Sequence, residues 1–376
     1  MGPVSPGAAT EAGDVVWLRV GEAMPAAARR EAALLAGRIG LGADRANDLA
    51  IAVTEAATNL QRHSADGALA LRIERQGKHA GVEFLALDSG PGISDIRAAL
   101  IDGNSTAGTL GVGLGAINRL ADVFGIHSVP GRGTALLARF YPRRAAPPAA
   151  DGRPAVGGLT RPINGEELCG DTWAVRDAPA EGAPGASGEP DRPEERHEPA
   201  GPGEAAAYAE LPDTIVMMCD GLGHGPLAAR VADQARLSFR ESRSADPAQI
   251  VRELHAGLKG SRGAAIAVAR VDHVRRRVRL SGAGNISGFI LGDRSRQTLL
   301  SIPGIVGHNI ARLQTFEAEL PAGSALVLHS DGLSNRWAPA DFPGLLAQSP
   351  VLIAGQLLWQ AGTRADDAGI VVVKAA

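Results

Sequence analysis

Aromatic side chains make up only 3% of this 376-residue chain, so any core must be filled mainly by Ala, Val, Leu and Ile. Cysteine is scarce as well. Cys169 and Cys219 are the only two, too few for a disulfide framework, and a reducing, cytoplasmic setting is the expectation. Long apolar runs are missing. The best of them, residues 370–373 and 324–328, fall far short of the roughly 20 residues that a membrane-spanning helix needs. The first residues are small, acidic and polar without an apolar stretch, so no secretory leader is expected. There is no excess of positive charge either: the net charge of −3 gives no reason to expect nucleic acid.

What is present suffices for two domains. Hydrophobic residues are 45% of the chain, and its length accommodates two ordinary cores. Residues 1–13 read as a disordered tail. Residues 14–142 alternate helical and strand patterns. Helices are expected at 26–39 and 43–62, the second with Leu49, Val53, Ala56 and Leu60 on one stripe, and at 113–124. Strands are expected at 69–74 and 82–87, then a hairpin of 126–129 and 134–141 turned at Pro130-Gly131-Arg132-Gly133. Residues 143–158, rich in Ala, Pro and Gly, read as a linker. A second domain spans 159–376. It is interrupted at 178–206 by a Pro/Gly/Glu/Ala stretch that cannot bury enough apolar surface to offset its ordering entropy, and so reads as a disordered insertion. Strands are expected there at 213–219, 264–271, 278–281, 287–291, 325–330 and 369–374, and helices at 226–243, 247–259 and 351–361.

Four features follow one another in the N-terminal half. Glu55 and Asn59 are four residues apart on one helix, hence on one face; a carboxylate there can act as a base, and an amide oxygen one turn on can hold a hard cation such as Mg2+. Asp88-Ser89-Gly90-Pro91-Gly92 follows a strand, where the carboxylate can accept from an adenine amine while Gly90 and Gly92 let the backbone come close. Gly111, Gly113 and Gly115 alternate into a helix start, which favours a triphosphate. Gly133-Thr134 enters a strand. The ordered series resembles the N, G1, G2 and G3 boxes of the GHKL ATPase superfamily, and residues 111–134 look most like the RsbT-type switch kinases and anti-sigma-factor kinases. This resemblance implies an α/β sandwich with ATP and Mg2+ between helices and sheet. Glu55 would be the catalytic base, with Asn59, Asp88, Gly90, Gly92, Gly111, Gly113, Gly115 and Thr134 around the nucleotide. His63 reads as a helix-end residue. No phospho-accepting histidine motif precedes the series, which argues against a sensor histidine kinase.

In the C-terminal half the acids carry the signal. Gly170-Asp171, Asp220-Gly221-Leu222-Gly223-His224-Gly225, Ser330-Asp331-Gly332 and Asp366-Asp367 put carboxylates at the edges of apolar strands. Carboxylates converging without basic partners repel one another. Divalent cations relieve that repulsion, and an oxygen-only donor set favours Mg2+ or Mn2+ over zinc. Two such ions can activate a water for in-line attack on phosphate. Together with Arg262-Gly263-Ala264 and Gly284-Asn285, these stretches resemble the SpoIIE/type 2C metal-dependent phosphatases, most closely the RsbX-like members. The resemblance implies a β-sandwich flanked by helices around a binuclear centre. Carried over by position, Asp171, Asp220, Asp331 and Asp366 are metal ligands, and the Gly221 carbonyl is a further one. The family has Thr or Ser where this chain has Gly369, which leaves open whether Asp366 or Asp367 reaches the metal. Arg161 is a candidate phosphate-binding residue, His224 reads as a loop residue, and the two cysteines read as buried small hydrophobes.

The combined expectation is a cytoplasmic, bifunctional partner-switching regulator. Its phosphatase would be a metal-dependent Ser/Thr phosphoprotein phosphatase and its ATP module a serine kinase, acting on a STAS-type antagonist or similar protein, and a sigma factor is a further candidate partner. The alternative is a phosphatase whose N-terminal domain is a nucleotide-gated, anti-sigma-like binding module without phosphotransfer.

Overall fold

A computed structural model describes residues 10–64, 66–76, 79–101, 113–142, 155–164, 166–178 and 212–375. The expected tail at 1–9, most of the linker, Gly111 and the insertion beyond Ala178 lie outside these residues.

The chain opens with the short strand β1 (Thr10–Glu11), then β2 (Val16–Arg19), α1 (Met24–Ile39) and α2 (Ala43–His63). The hairpin β3 (Gly67–Gln76) and β4 (His79–Asp88) follows, then a single helical turn α3 (Ile96–Ala99), α4 (Gly113–Leu120), β5 (Val123–Val129) and β6 (Gly133–Phe140). Strands β2 to β6 form one antiparallel sheet in the order β2-β3-β4-β6-β5. Successive residues of a strand face opposite sides, and both sides of this sheet are apolar. Leu69, Leu71, Phe84, Ala138 and Phe140 face α1 and α2 in one core. Ala68, Ala70, Leu85, Leu87, Ala135 and Leu137 face the other way.

Strands β7 (Val156–Arg161), β8 (Asp171–Ala178) and β9 (Asp213–Gly221) lead to α5 (Gly225–Glu241) and α6 (Pro247–Gly257). Next come β10 (Ala264–Asp272), β11 (Arg277–Ala283), β12 (Ser287–Leu291), β13 (Arg296–Leu299), the small pair β14 (Gly304–Ile305) and β15 (Asn309–Ile310), β16 (Phe316–Glu319) and β17 (Ala325–His329). Helix α7 (Pro350–Ala361) and β18 (Ala368–Lys374) close the chain. Two sheets result, ordered β1-β8-β9-β10-β11-β16 and β13-β12-β17-β18-β7. They share a core of Trp173, Val216, Met218, Leu326, Leu328 and Val371, while α5 and α6 cover the outer face of the larger sheet.

Helix α7 covers the outer face of the smaller sheet, and on its other side it meets the Leu85/Leu137 face of the N-terminal sheet. Every residue from Pro350 to Trp359 is therefore buried. A helix apolar all round is stable only in such a setting. The layers run helices, sheet, sheet, α7, sheet, helices, so α7 belongs to both halves.

Three expectations are corrected. Helix α4 stops at Leu120 rather than 124. Asp122 instead bonds the edge of β6, its amide donating to Arg139 O at 2.9 Å and its carboxylate accepting from Tyr141 N at 2.7 Å, which starts β5. Residues 10–13 are not a loose tail: Thr10 and Glu11 pair with Val175 and Ala174, and Glu11 bonds Arg236 at 3.0 Å. Strand β7 begins at Val156, inside the expected linker, because its backbone completes the edge of β18.

Candidate functional site

The N-terminal site lies where β4, α2 and the start of α4 meet. Glu55 and Asn59 sit on α2, half-buried. The Asn59 amide nitrogen lies 3.8 Å from where a Cβ on Gly113 would be, which puts the amide at the mouth of α4; Gly115 is buried one turn in. Asp88 ends β4. Its carboxylate accepts from Gly90 N at 2.7 Å and from Thr134 N, and burial still pushes it above the usual carboxylate range. Gly90 and Thr134 are thus gathered around one acid, while Gly92 packs against Val129 and Pro130. Gly92 has φ of +70° and a Cβ there would lie 2.3 Å from Val129 O, so no other residue fits. Thr134 Oγ1 lies 2.8 Å from Ser128 Oγ, which receives Ile93 N at 2.7 Å and fixes the turn against the hairpin. His63 ends α2 exposed, as expected.

The C-terminal site is assembled by register. Asp171 and Asp220 are direct cross-strand partners on β8 and β9, a position in which like charges destabilise a sheet. They share a side-chain hydrogen bond. Burial, then Asp220, pushes the Asp171 carboxyl well above its ordinary range. Burial followed by Asp331, Asp366 and Asp367 pushes Asp220 up to about 7. Burial and then Asp366 raise Asp331. No basic side chain bonds these four acids among the described residues, so without a cation the cluster can hold its charge down only by keeping a proton. An all-oxygen donor set of this kind fits a hard divalent cation. Among the described residues no three His, Cys, Asp or Glu side chains close around one ion position, so a cation would have to draw the carboxylates inward.

The adjacent acids have different environments. Asp367 is buried, and its two oxygens accept from Ile163 N and Gly170 N, each at 2.7 Å. Asp366 is only partly buried, and Asp220 and Asp331 both feel its charge. Gly221 is buried and its amide bonds Gly170 O at 3.0 Å. Arg161 is buried beside this site: it donates to Thr363 O, while its Nε and Nη1 find no partner. Burial, then Arg364 and Arg19, lowers it to about 10. His224 is exposed and lies 3.2 Å from Glu166 at the start of α5. Burial, then neighbouring aspartates, raises both the Cys169 and Cys219 thiols, which makes them poor nucleophiles.

Two residues within the quoted motifs take supporting roles that the sequence did not assign. Ser330 Oγ donates to Asp171 Oδ2 at 2.5 Å and accepts from Gly369 N at 2.9 Å. Asn285 Nδ2 donates to Asp331 Oδ2 at 2.6 Å. The signal for Ser330 was its place just before Asp331, where the two-residue period of a strand turns it inward. Beside Asn285 opens a cleft of roughly 300 Å3, lined by Ser287, Arg296, Thr298, Ser301 and Asn335.

Comparison with known proteins matches two separate stretches of the chain. Residues 21–140 match the family described as histidine kinase-like ATPase domain, and residues 212–374 match Stage II sporulation protein E, SpoIIE. The serine/threonine-protein kinase RsbT of Bacillus subtilis (strain 168) is 37% identical over 113 residues, 30% of this chain and 84% of that kinase. The chain belongs to the histidine kinase-like ATPases in its N-terminal half, and its C-terminal half is similar to the SpoIIE family. The phosphoserine phosphatase RsbX of the same organism is 26% identical over 128 residues, 34% of this chain. The chain spans 64% of RsbX, a little under two thirds. A crystal structure of RsbX with magnesium aligns with 58% of this chain and 94% of its own, at 18% identity and a TM-score of 0.43. Among the described residues no helix is long and apolar enough to cross a membrane.

Proposed function

We propose that this protein is a bifunctional partner-switching regulator: a Mg2+- or Mn2+-dependent Ser/Thr phosphoprotein phosphatase joined to an ATP-binding serine kinase, both directed at a STAS-type antagonist or similar regulatory protein. The observation that carries the phosphatase reading is the cross-strand pair Asp171 and Asp220, without a basic partner among the described residues and flanked by Asp331 and Asp366. These four carboxylates and the Gly221 carbonyl would hold the cations. When bound, such ions supply an activated water and neutralise charge on the phosphoryl group.

The chain's own residues have separable tasks. Asp366 is the ligand of the adjacent pair, because both oxygens of Asp367 are committed to Ile163 N and Gly170 N. Asp367 positions the loop that presents Asp171. Ser330 and Asn285 orient Asp171 and Asp331 as outer partners do in metal sites. The polar cleft beside Asn285 would seat the peptide that carries the phosphoserine. In the ATP site, Asp88 would receive the adenine amine, Asn59 would hold Mg2+, Gly111, Gly113 and Gly115 would receive the phosphates, and Glu55 would take the proton of the attacking hydroxyl. Glu55 favours the kinase over a pure binding module, which needs no base. The stretch read from the sequence as an insertion, 178–206, would begin after Ala178, which the structure places in β8.

The test uses full-length protein, Mn2+ and a phosphoserine-bearing STAS-domain protein. Asp220→Ala and Asp331→Ala should each abolish metal-dependent dephosphorylation and lose Mn2+ binding by calorimetry; unchanged turnover in either sinks the phosphatase reading. Glu55→Ala should bind a fluorescent ATP analogue normally but fail to transfer phosphate, because a base acts in the chemical step. Tight ATP binding with no transfer by the unmodified protein would favour the nucleotide-gated binding module.

A further inference from the structure

The nucleotide and phosphatase sites are joined by a short, continuous piece of chain. Helix α7 ends at Ala361, and Gln360 in its last turn donates from Nε2 to Asp88 O at 2.9 Å. This is the backbone oxygen of the residue whose carboxylate gathers Gly90 and Thr134. That oxygen is also tightly enclosed, since a Cβ on Gly133 would lie 2.0 Å from it. Four residues on, Arg364 Nη2 bonds Asp66 Oδ2 at 2.9 Å, and Asp66 O accepts from Ser89 N at 3.0 Å. Residues 88 and 89 are thus held at two points by 360–364. Arg19 completes the grip by donating to the other Asp66 oxygen at 3.2 Å, and both guanidiniums lie over the Trp359 ring, at 5.3 Å for Arg19 and 4.1 Å for Arg364.

The same segment is tied to the phosphatase acids. Thr363 N donates to Gly332 O at 2.7 Å, immediately after Asp331, and Ser334 N donates to Ala361 O at 2.8 Å. Thr363 O accepts from Arg161 Nη2. Asp366 and Asp367 come next in the chain, and Asp367 fixes Gly170 beside Asp171. Movement of Asp88 would therefore be felt by a loop that contacts the surroundings of Asp171, Asp331 and Asp366. The junction also holds unused donors. Among the described residues, Arg161 Nε and Nη1 and Arg364 Nη1 are buried without protein partners.

We propose that the adenine-nucleotide site is an effector site for the phosphatase, acting through Gln360, Asp66 and the 360–367 segment; the inference rests on the ATP and metal sites assigned above. An adenine amine on the Asp88 carboxylate adds a third donor to a group already shared by two amides. Any adjustment passes to Gln360 through the peptide oxygen of the same residue. The ATP half then has a task independent of phosphotransfer: it reports nucleotide state to the neighbouring phosphatase. Coupling of this kind is reciprocal, so cation binding at the acids also alters nucleotide affinity.

The experiment uses the full chain with Mn2+ and p-nitrophenyl phosphate, with and without a saturating non-hydrolysable ATP analogue whose binding is followed by fluorescence. The expected result is a change in turnover of about fivefold or more on adding the analogue, the lower end of typical allosteric coupling. Hydrogen exchange of the amides in 360–369 should change with it. Gln360→Leu and Asp66→Asn should bind the analogue and keep the nucleotide-free rate, while the ratio of rates with and without analogue falls to one. Binding of the analogue with no change in rate would overturn the effector role and leave the ATP-site reading standing. Failure of the analogue to bind would overturn both. A ratio retained in both variants would overturn the proposed route.

Discussion

Ser330 shows what one hydroxyl contributes to the acidic cluster. It donates to Asp171 and accepts from Gly369 N, so it fixes the most deeply buried of the four proposed ligands. Gly369 has no room for a side chain that could replace it: a Cβ there would meet Met218 Cε at 2.3 Å. Ser330→Ala is expected to weaken Mn2+ binding by roughly 10–100-fold, the usual cost of losing an outer partner, with the melting temperature little changed; calorimetric titration of Mn2+ measures this. A second residue-scale prediction concerns pH. His273 is buried, its Nε2 lies 2.9 Å from Thr214 Oγ1, and burial lowers it to about 4. The folded state therefore stays unprotonated between pH 6.5 and 4 while the unfolded chain takes up a proton. The sign follows: stability associated with this group is present above about pH 6.5 and is lost as pH falls toward 4, by up to about 3 kcal/mol. Urea unfolding at pH 7 and pH 4.5 should show a smaller acid loss in His273→Gln than in the unmodified protein.

Helix α7 is the element on which most depends. Its apolar circumference is readable from Val351-Leu352-Ile353-Ala354 and Leu357-Leu358-Trp359, a pattern that already implies burial on all sides. The partners on those sides are not readable, because they are strands far away in sequence. Gly355 sits where α7 comes closest to the N-terminal sheet, and a Cβ there would be 2.8 Å from Leu85 Cδ2. Gly355→Val should destabilise by about 1–3 kcal/mol through overpacking. Leu352→Ala should cost about 2–5 kcal/mol by leaving a cavity. Both losses are to be read from chemical denaturation midpoints at constant slope. The end of α4 is a comparable case. The apolar spacing of Leu114, Ile117, Leu120 and Phe124 suits a longer helix, yet Phe124 lies in β5 because pairing with β6 satisfies more backbone than another helical turn.

At the scale of the molecule, the two halves share one core. Leu85, Leu87 and Leu137 from the ATPase sheet pack in the same cluster as Leu352, Leu357 and Ile370 from the phosphatase. The Arg72–Glu83–Arg139 group adds a polar tie, since Arg72 Nη1 also donates to Gly158 O at 2.7 Å. Burial alone would raise Glu83, but the two guanidiniums hold it below its ordinary range. Trp17 stacks on Trp359 with centroids 6.4 Å apart and bonds Thr160 O at 3.0 Å. The whole protein should therefore melt in a single calorimetric transition rather than two. A chain ending at residue 150 would expose the Leu85/Leu137 face and should aggregate; two separate transitions, or a soluble monomeric fragment, would contradict the shared core.

The amino-acid sequence by itself determined the two-domain plan, most helices and strands, and the residue types of both sites. These are local quantities: periodicity, an acid at a strand end, a glycine before a helix. Tertiary structure alone decided which acids face one another, that Asp367 spends both carboxylate oxygens on backbone amides while Asp366, among the described residues, accepts only from Asp367 N at 2.9 Å, and that residues 10–11 join a distant sheet. It alone set Gln360 against Asp88, 272 positions away. Such contacts depend on register between strands and on the packing of α7 between two sheets. No local pattern encodes them, because each requires two segments to be fixed in space before either side chain has a partner.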